Sequence, residues 1–169
     1  MTGDALYAQA KKLYDAASTI ESMTLYEQAR AAFIAEGNVL QAARAANDLG
    51  VVYYLLGRHD DARQTFQDAL ASFEQLGDVL GQAKSIGNLA PLLERAGAEK
   101  NYLRAGELFH QIGEKTFEHD TYRALSQMQL QRGRWLEALA SYDRALAAKG
   151  GSRFLRWFLQ IPLRLLGMR

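Results

Sequence analysis

The chain has 169 residues, 49% of them apolar and 23% charged, a balance that excludes a disordered chain, a collagen and a polytopic membrane protein. It holds no cysteine, which removes disulfides, Cys-ligated zinc, iron–sulfur clusters and thiol catalysis and fits a reducing compartment. The net charge is +1, but residues 151–169 carry Arg153, Arg156, Arg164 and Arg169 and no acid, leaving 16 basic and 19 acidic side chains in the first 150; no basic stripe is available there to neutralise a run of phosphates, so nucleic acid is not an expected partner.

Met1–Ala10 has no apolar core and carries Asp4, which is not a secretory leader, so a cytoplasmic location is expected. Only two prolines interrupt an alanine-rich chain, and apolar spacing predicts helices near 4–16, 20–36, 38–56, 59–76, 78–96, 100–113, 115–132 and 135–148. Ser18-Thr19-Ile20-Glu21 has the spacing of a capping box. In the clearest pair, Leu49, Tyr53 and Leu56 share one helix face, Gly57 ends that helix, and Asp60 or Asp61 starts the next by accepting orphan N–H groups. Ala62, Phe66, Ala69 and Phe73 then form one stripe. Pro91 removes a backbone donor and is expected to kink the helix at 78–96, with Gly87 relieving part of the ring clash.

The chain repeats itself. A shift of 40 lays Gly37-Asn38-Val39-Leu40 on Gly77-Asp78-Val79-Leu80, and a further 36 lays Phe73, Gly77 and Leu89 on Phe109, Gly113 and Leu125. Phe-x-x-x-Gly followed by Asn, Asp or Glu thus occurs at Phe33, Phe73 and Phe109. Each unit reads as a helix A followed by a helix B. A small residue marks helix A at Ala10, Gly50, Ala90 and Ser126; helix B reads Ser22/Tyr26/Ala29, Ala62/Phe66/Ala69, Ala98/Tyr102/Ala105 and Ala138/Tyr142/Ala145. Small residues let two helices approach, and the aromatic fills the gap to the next unit.

This pattern resembles the tetratricopeptide repeat family in its longer variant of roughly 40 residues. Gln9 stands where the family has leucine in the first unit, Gln129 where it has tyrosine in the fourth, and the third unit is four residues short. The resemblance implies an all-α fold: a right-handed α-solenoid of about four helix-turn-helix repeats, near 3–37, 38–77, 78–113 and 114–149 within a domain 1–150, plus a C-terminal amphipathic helix at 151–169. It also implies a concave wall lined by the A helices and a role as a non-enzymatic protein-interaction scaffold.

Catalytic chemistry has no foothold. His59, His110 and His119 make no i, i+4 metal pair and read as exposed helix-end residues, and paired acids such as Asp60-Asp61 sit where they complement a helix dipole. No nucleophile elbow, phosphate loop or dinucleotide fingerprint occurs. No cofactor or metal is expected.

The repeat register places Tyr14, Arg44, Asn47, Asp48, Tyr54, Lys84, Asn88, Arg123 and Gln127 on the inner wall, alongside Asp4, Tyr7, Lys11, Val51, Pro91 and Asp120. Amides can both give to and accept from a peptide backbone, and tyrosines add contact area at low entropy cost. By the resemblance, Asn88 holds the slot of a backbone-reading asparagine, with Asp48 in the equivalent slot of the second unit. The family's clamp for C-terminal carboxylates needs two cations where this chain has Asp120 and Ala124, so that specialised role is not expected.

After Gly150-Gly151 the composition changes. Arg153, Arg156, Gln160 and Arg164 fall on one helical stripe, and Phe154, Leu155, Trp157, Phe158, Leu159, Ile161, Leu163, Leu165, Leu166 and Met168 cover the rest. The segment is too short and basic to span a bilayer. Three uses stay open: lying on an anionic membrane surface, docking on a partner or a second copy of the chain, and capping the last repeat. The contacts expected for either of the first two are Arg153, Phe154, Arg156, Trp157, Phe158, Ile161, Arg164 and Leu165. A structural subunit packed permanently in a larger complex is the alternative to the scaffold.

Overall fold

A computed structural model describes residues 1–151, 157 and 159–162. Along them run α1 (Gly3–Asp15), α2 (Thr19–Ala35), α3 (Val39–Leu55), α4 (His59–Leu76), α5 (Val79–Leu89), a 3-10 turn (Ala90–Leu92), α6 (Arg95–Gln111), α7 (Lys115–Gln131) and α8 (Trp135–Ala148). No strand occurs among the described residues. The fold class is all-α, built of helix-turn-helix pairs. The chain divides into two compact units, Met1–Leu92 and Leu93–Arg169.

One joint recurs between helices. Gly57 has φ 76°, its N–H returns to Tyr54 O at 3.0 Å, and Arg58 N–H reaches Tyr53 O at 2.9 Å. This doubly bonded left-handed turn satisfies the last carbonyls of α3, and glycine adopts it without a Cβ penalty. The Gly-[Asn/Asp] copies add a cap: Asn38 Oδ1 accepts from Gln41 N–H at 3.2 Å, and Asp78 Oδ1 from Gly81 N–H at 3.1 Å. Alanine takes the glycine's place at Ala17, φ 60°.

In the first unit α1 to α5 pack each against the next. The core holds Tyr26, Phe33, Phe66 and Phe73 among the alanines Ala10, Ala29, Ala62 and Ala69. Close approach is literal at Gly50 and Gly81, where a Cβ would lie 2.6 Å from the Phe66 ring and 2.3 Å from that of Phe73. In the second unit α7 packs on both α6 and α8. Its core gathers Tyr122, Leu125 and Ala145, with Phe109 stacked on Phe117 at 5.3 Å. Ser126 Oγ donates to Ala138 O at 2.7 Å, tying α7 to α8 at the small-residue position.

Several local expectations are corrected. Helix 78–96 does not run through Pro91 as a kinked rod: α5 ends at Leu89, Ala90 N–H drops back to Gly87 O, and a 3-10 turn follows. Proline supplies no N–H, so tightening to i→i−3 bonds loses less than forcing the α-helix onward. Arg63 Nη2 donates to Leu92 O at 3.0 Å, satisfying a carbonyl at the end of that turn. Helix α6 starts at Arg95 rather than near 100. The division at Leu92 therefore falls inside the expected third repeat, with α5 in one unit and α6 in the other. Ser18 makes no side-chain cap bond; at this helix start its carbonyl accepts from Ser22 N–H at 3.0 Å. Asp60 and Asp61 do not cap α4; Arg58 is the cap residue, and Asp61 instead accepts from Arg58 Nε at 2.7 Å. His119 is not an exposed helix-end residue: its side chain is largely covered and Nδ1 meets Ala145 O at 2.8 Å.

Past Gly151, Trp157 and residues 159–162 are helical. Gln160 Nε2 donates to Asp143 Oδ2 of α8 at 3.0 Å, and Leu159 and Ile161 are half-buried, while Trp157 is 52% exposed. Arg153, Phe154, Arg156, Phe158, Arg164 and Leu165 lie outside the described residues.

Candidate functional site

The A-helix side chains of the first unit form a hydrogen-bonded row across three helices. Tyr7 Oη on α1 donates to Asp48 Oδ2 on α3 at 2.5 Å. Asn47 Nδ2 reaches Asp48 Oδ1 at 3.5 Å, and Asn47 Oδ1 accepts from Ser85 Oγ at 3.1 Å and Asn88 Nδ2 at 3.3 Å, both on α5. Burial first, then the Asp48 charge, pushes the Tyr7 hydroxyl far above its ordinary range, so it stays a proton donor.

This row changes the part played by two expected groove residues. Asn47 is 6% exposed and spends its amide on α5 and Asp48, so it is a cross-helix tie and not an open ligand contact. Asn88 is half-buried and gives its amide nitrogen to Asn47. Arg44 is exposed and pairs with Asp78 at 3.8 Å. Tyr54 is 37% exposed, its ring 5.3 Å from that of His59. Lys84 is half-buried on α5.

Tyr14 and Asp48 meet at a cleft of roughly 150 Å³ between α1, α2 and α3, lined by Lys11, Tyr14, Tyr26, Asp48 and Val51. Tyr26 was legible only as the core aromatic of its repeat. Its place in the cleft lining had no signal of its own in the sequence, since Tyr102 and Tyr142 hold the same slot in later repeats and only Phe66 lacks the hydroxyl. Burial, and after it the Asp48 and Asp15 charges, pushes the Tyr26 hydroxyl well above its ordinary value. In the second unit Arg123 and Gln127 stand exposed on α7.

Among the described residues no three His, Asp or Glu side chains gather to hold a metal, and no helix is long and apolar enough to cross a membrane.

Residues 13–75 match the tetratricopeptide repeat family. No curated protein matches the chain in sequence. Among solved structures, BtubC (BKLC) from P. vanneervenii superposes with a TM-score of 0.76 at 19% identity; the match covers 88% of this chain and spans 63% of that protein's length. At that identity the likeness concerns the fold alone. A protein of nearly identical TPR-like repeats from Podosopora anserina gives a TM-score of 0.44 at 12% identity, over 97% of this chain and 94% of its own.

Proposed function

Starting from a chain that carries tetratricopeptide repeats, a family that generally mediates protein–protein contact, we propose that it is a non-enzymatic interaction scaffold whose A-helix side chains hold an extended segment of a partner protein. The observation that carries the reading is the cleft and its surroundings. Tyr14, Asp48 and Tyr54 stay reachable on α1 and α3 while the apolar residues beneath them are fully buried. In the first unit Arg44 and Lys84 extend the set of polar contacts and Asn88 contributes through its carbonyl oxygen; the second unit offers Arg123 and Gln127 on its own α7.

The test is a displayed-peptide selection on the full chain, followed by affinity measurement on the double variant Tyr54→Ala/Arg123→Ala. Both side chains are exposed, so truncation leaves the core intact. Selected peptides should lose about tenfold or more in affinity if these side chains are anchors. Unchanged affinity sinks the reading.

A second reading is favoured by the exposure of Trp135 and Trp157 near the C-terminal end: a subunit held in a larger assembly, on a second copy of itself or on an anionic membrane, through 151–169. The Gln160–Asp143 contact supports capping of α8 as the resting use of the same segment. Light scattering and vesicle flotation of the chain with and without 151–169 separate these uses. Loss of oligomer or of lipid binding on truncation supports attachment, and no change in either leaves the segment as a cap.

A further inference from the structure

The cleft on α1, α2 and α3 contains a group that the fold does not use. Tyr26 is 2% exposed, yet among the described residues its hydroxyl has no hydrogen-bond partner, and it lines the cleft together with Tyr14 and Asp48. Arg63 Nε is the one fully buried side-chain nitrogen or oxygen without a partner among the described residues, so the Tyr26 oxygen, which bonds no protein group, opens onto the cleft. Asp48 gives one contact to Tyr7 and a long one to Asn47, and a carboxylate has about four lone-pair sites. The cleft therefore presents open acceptor sites on Asp48 and on the Tyr26 oxygen.

We propose that this cleft receives the guanidinium of an arginine side chain from the bound partner. The inference rests on the scaffold reading and names the chemistry of one of its contacts. Size fits, because roughly 150 Å³ suits one long side chain and not a whole peptide segment. Charge fits as well. Asp48 lines the cleft and Asp15 acts on Tyr26 from nearby. The cations around it are engaged: Lys11 with Asp15 at 3.8 Å, and Arg44 with Asp78 at 3.8 Å. A planar fork of donors can reach a carboxylate and a phenol oxygen at once, which a single ammonium cannot do as well. Val51 and the Tyr14 ring offer an apolar wall for the methylene stem and a face for the cation.

The experiment is an amide NMR titration of the full chain with N-acetyl-arginine amide, and in parallel with the lysine and norleucine analogues. Arginine amide should move the Tyr14, Tyr26, Asp48 and Val51 signals and saturate in the millimolar range. The lysine analogue should bind several-fold more weakly, and norleucine should move nothing. Tyr26→Phe removes a hydroxyl that bonds nothing in the free chain, so a purely structural role predicts no change. The proposal predicts a loss of about fivefold, and Asp48→Asn a loss of about tenfold or more. Lys11→Ala should tighten binding, since the rim charge is removed.

Silence with arginine amide, equal shifts from norleucine, or an unaffected Tyr26→Phe variant overturns the proposal. The two ideas fail separately. Selected peptides that depend on Tyr54 and Arg123 but need no arginine leave the scaffold standing and remove this pocket. Arginine amide binding without any selected peptide does the reverse.

Discussion

Residues 22–72 and 98–148 align at a constant shift of 76, yet the two stretches fill the same place differently. In the first unit a cleft of roughly 170 Å³ opens between α2, α3 and α4, lined by Ala42, Ala43 and Ala46 and by Arg30 and Asp68, which pair at 3.6 Å. In the second unit the positions of Ala42, Ala43 and Ala46 are Glu118, His119 and Tyr122. There Tyr122 is buried, Glu118 meets His110 at 3.0 Å, His119 meets Ala145 O, and Arg144 lies 5.6 Å above the Tyr122 ring. Gly106, in the place of Arg30, makes room: a Cβ there would stand 2.7 Å from the Tyr122 ring. One backbone plan thus tolerates either an open alanine cleft or a closed aromatic plug, provided the facing residue changes in step.

The joint between the helix pairs shows the same freedom. In the first unit Tyr53 Oη donates to Glu27 at 2.7 Å and Arg58 lies 4.3 Å over the Tyr53 ring. In the second, Gln129 replaces the tyrosine, gives Nε2 to Glu99 at 3.0 Å and accepts from Ser141 Oγ at 2.8 Å, while Arg134 reaches Glu99 at 2.6 Å. Gln129 is 3% exposed and bonded through both its amide nitrogen and its amide oxygen. An aromatic joint has become an ionic one.

The sharpest way to break the comparison is Tyr122→Ala, which opens in α7 the space that Ala46 leaves in α3. Removing a buried aromatic without its compensating neighbours should cost about 3–5 kcal/mol, read by denaturant unfolding. A cost below about 1 kcal/mol would mean that the second unit does not depend on the plug. Next is Gln129→Leu, which strands the buried Ser141 hydroxyl and should cost about 1–3 kcal/mol, against about 0.5–1.5 kcal/mol for Tyr53→Phe in the first unit.

Acidification sharpens the contrast. The Arg134 hydrogen bond, with Gln129 assisting, holds the Glu99 carboxyl below its ordinary 4.5. Its folded value is depressed, so its stabilisation is present above 4.5 and is lost as pH falls through the folded value. Hydrogen exchange along α7 should therefore quicken below 4.5 in the native chain and much less in Glu99→Gln. Burial and Glu27 push the Tyr53 hydroxyl up to about 12, so the aromatic joint should show no such change in that range. The smallest effect expected is a gain: Ala17→Gly relieves a left-handed alanine and should add on the order of 1 kcal/mol, visible as a raised melting temperature.

Much of this was legible in the letters. The Gly-[Asn/Asp] joints follow from spacing because their bonds lie within a few residues, and the buried Ala, aromatic and Ala stripes follow from helical periodicity even where, as at Phe73 and Gly81, the contact crosses to the next hairpin. What was not legible depended on facing helices. In α3, Ala42, Ala43, Ala45, Ala46 and Asn47 are all buried, so the helix is covered nearly all round and its periodicity could not show that Asn47 turns toward α5. His119 looked like a helix-end residue because its acceptor lies 26 positions away. Pro91 announced a disturbance, but whether a helix bends or stops depends on what receives the freed carbonyls, and Arg63 supplies that from another helix.

The left-handed joint closed by two backbone bonds has a genetic consequence. Every atom it uses lies within a few positions of the glycine, so a duplicated or deleted hairpin arrives with its own working connector and asks nothing of distant sequence. A gene built this way can lengthen or shorten in whole-hairpin steps, and the unbroken 76-residue offset between two divergent stretches is what such copying would leave behind.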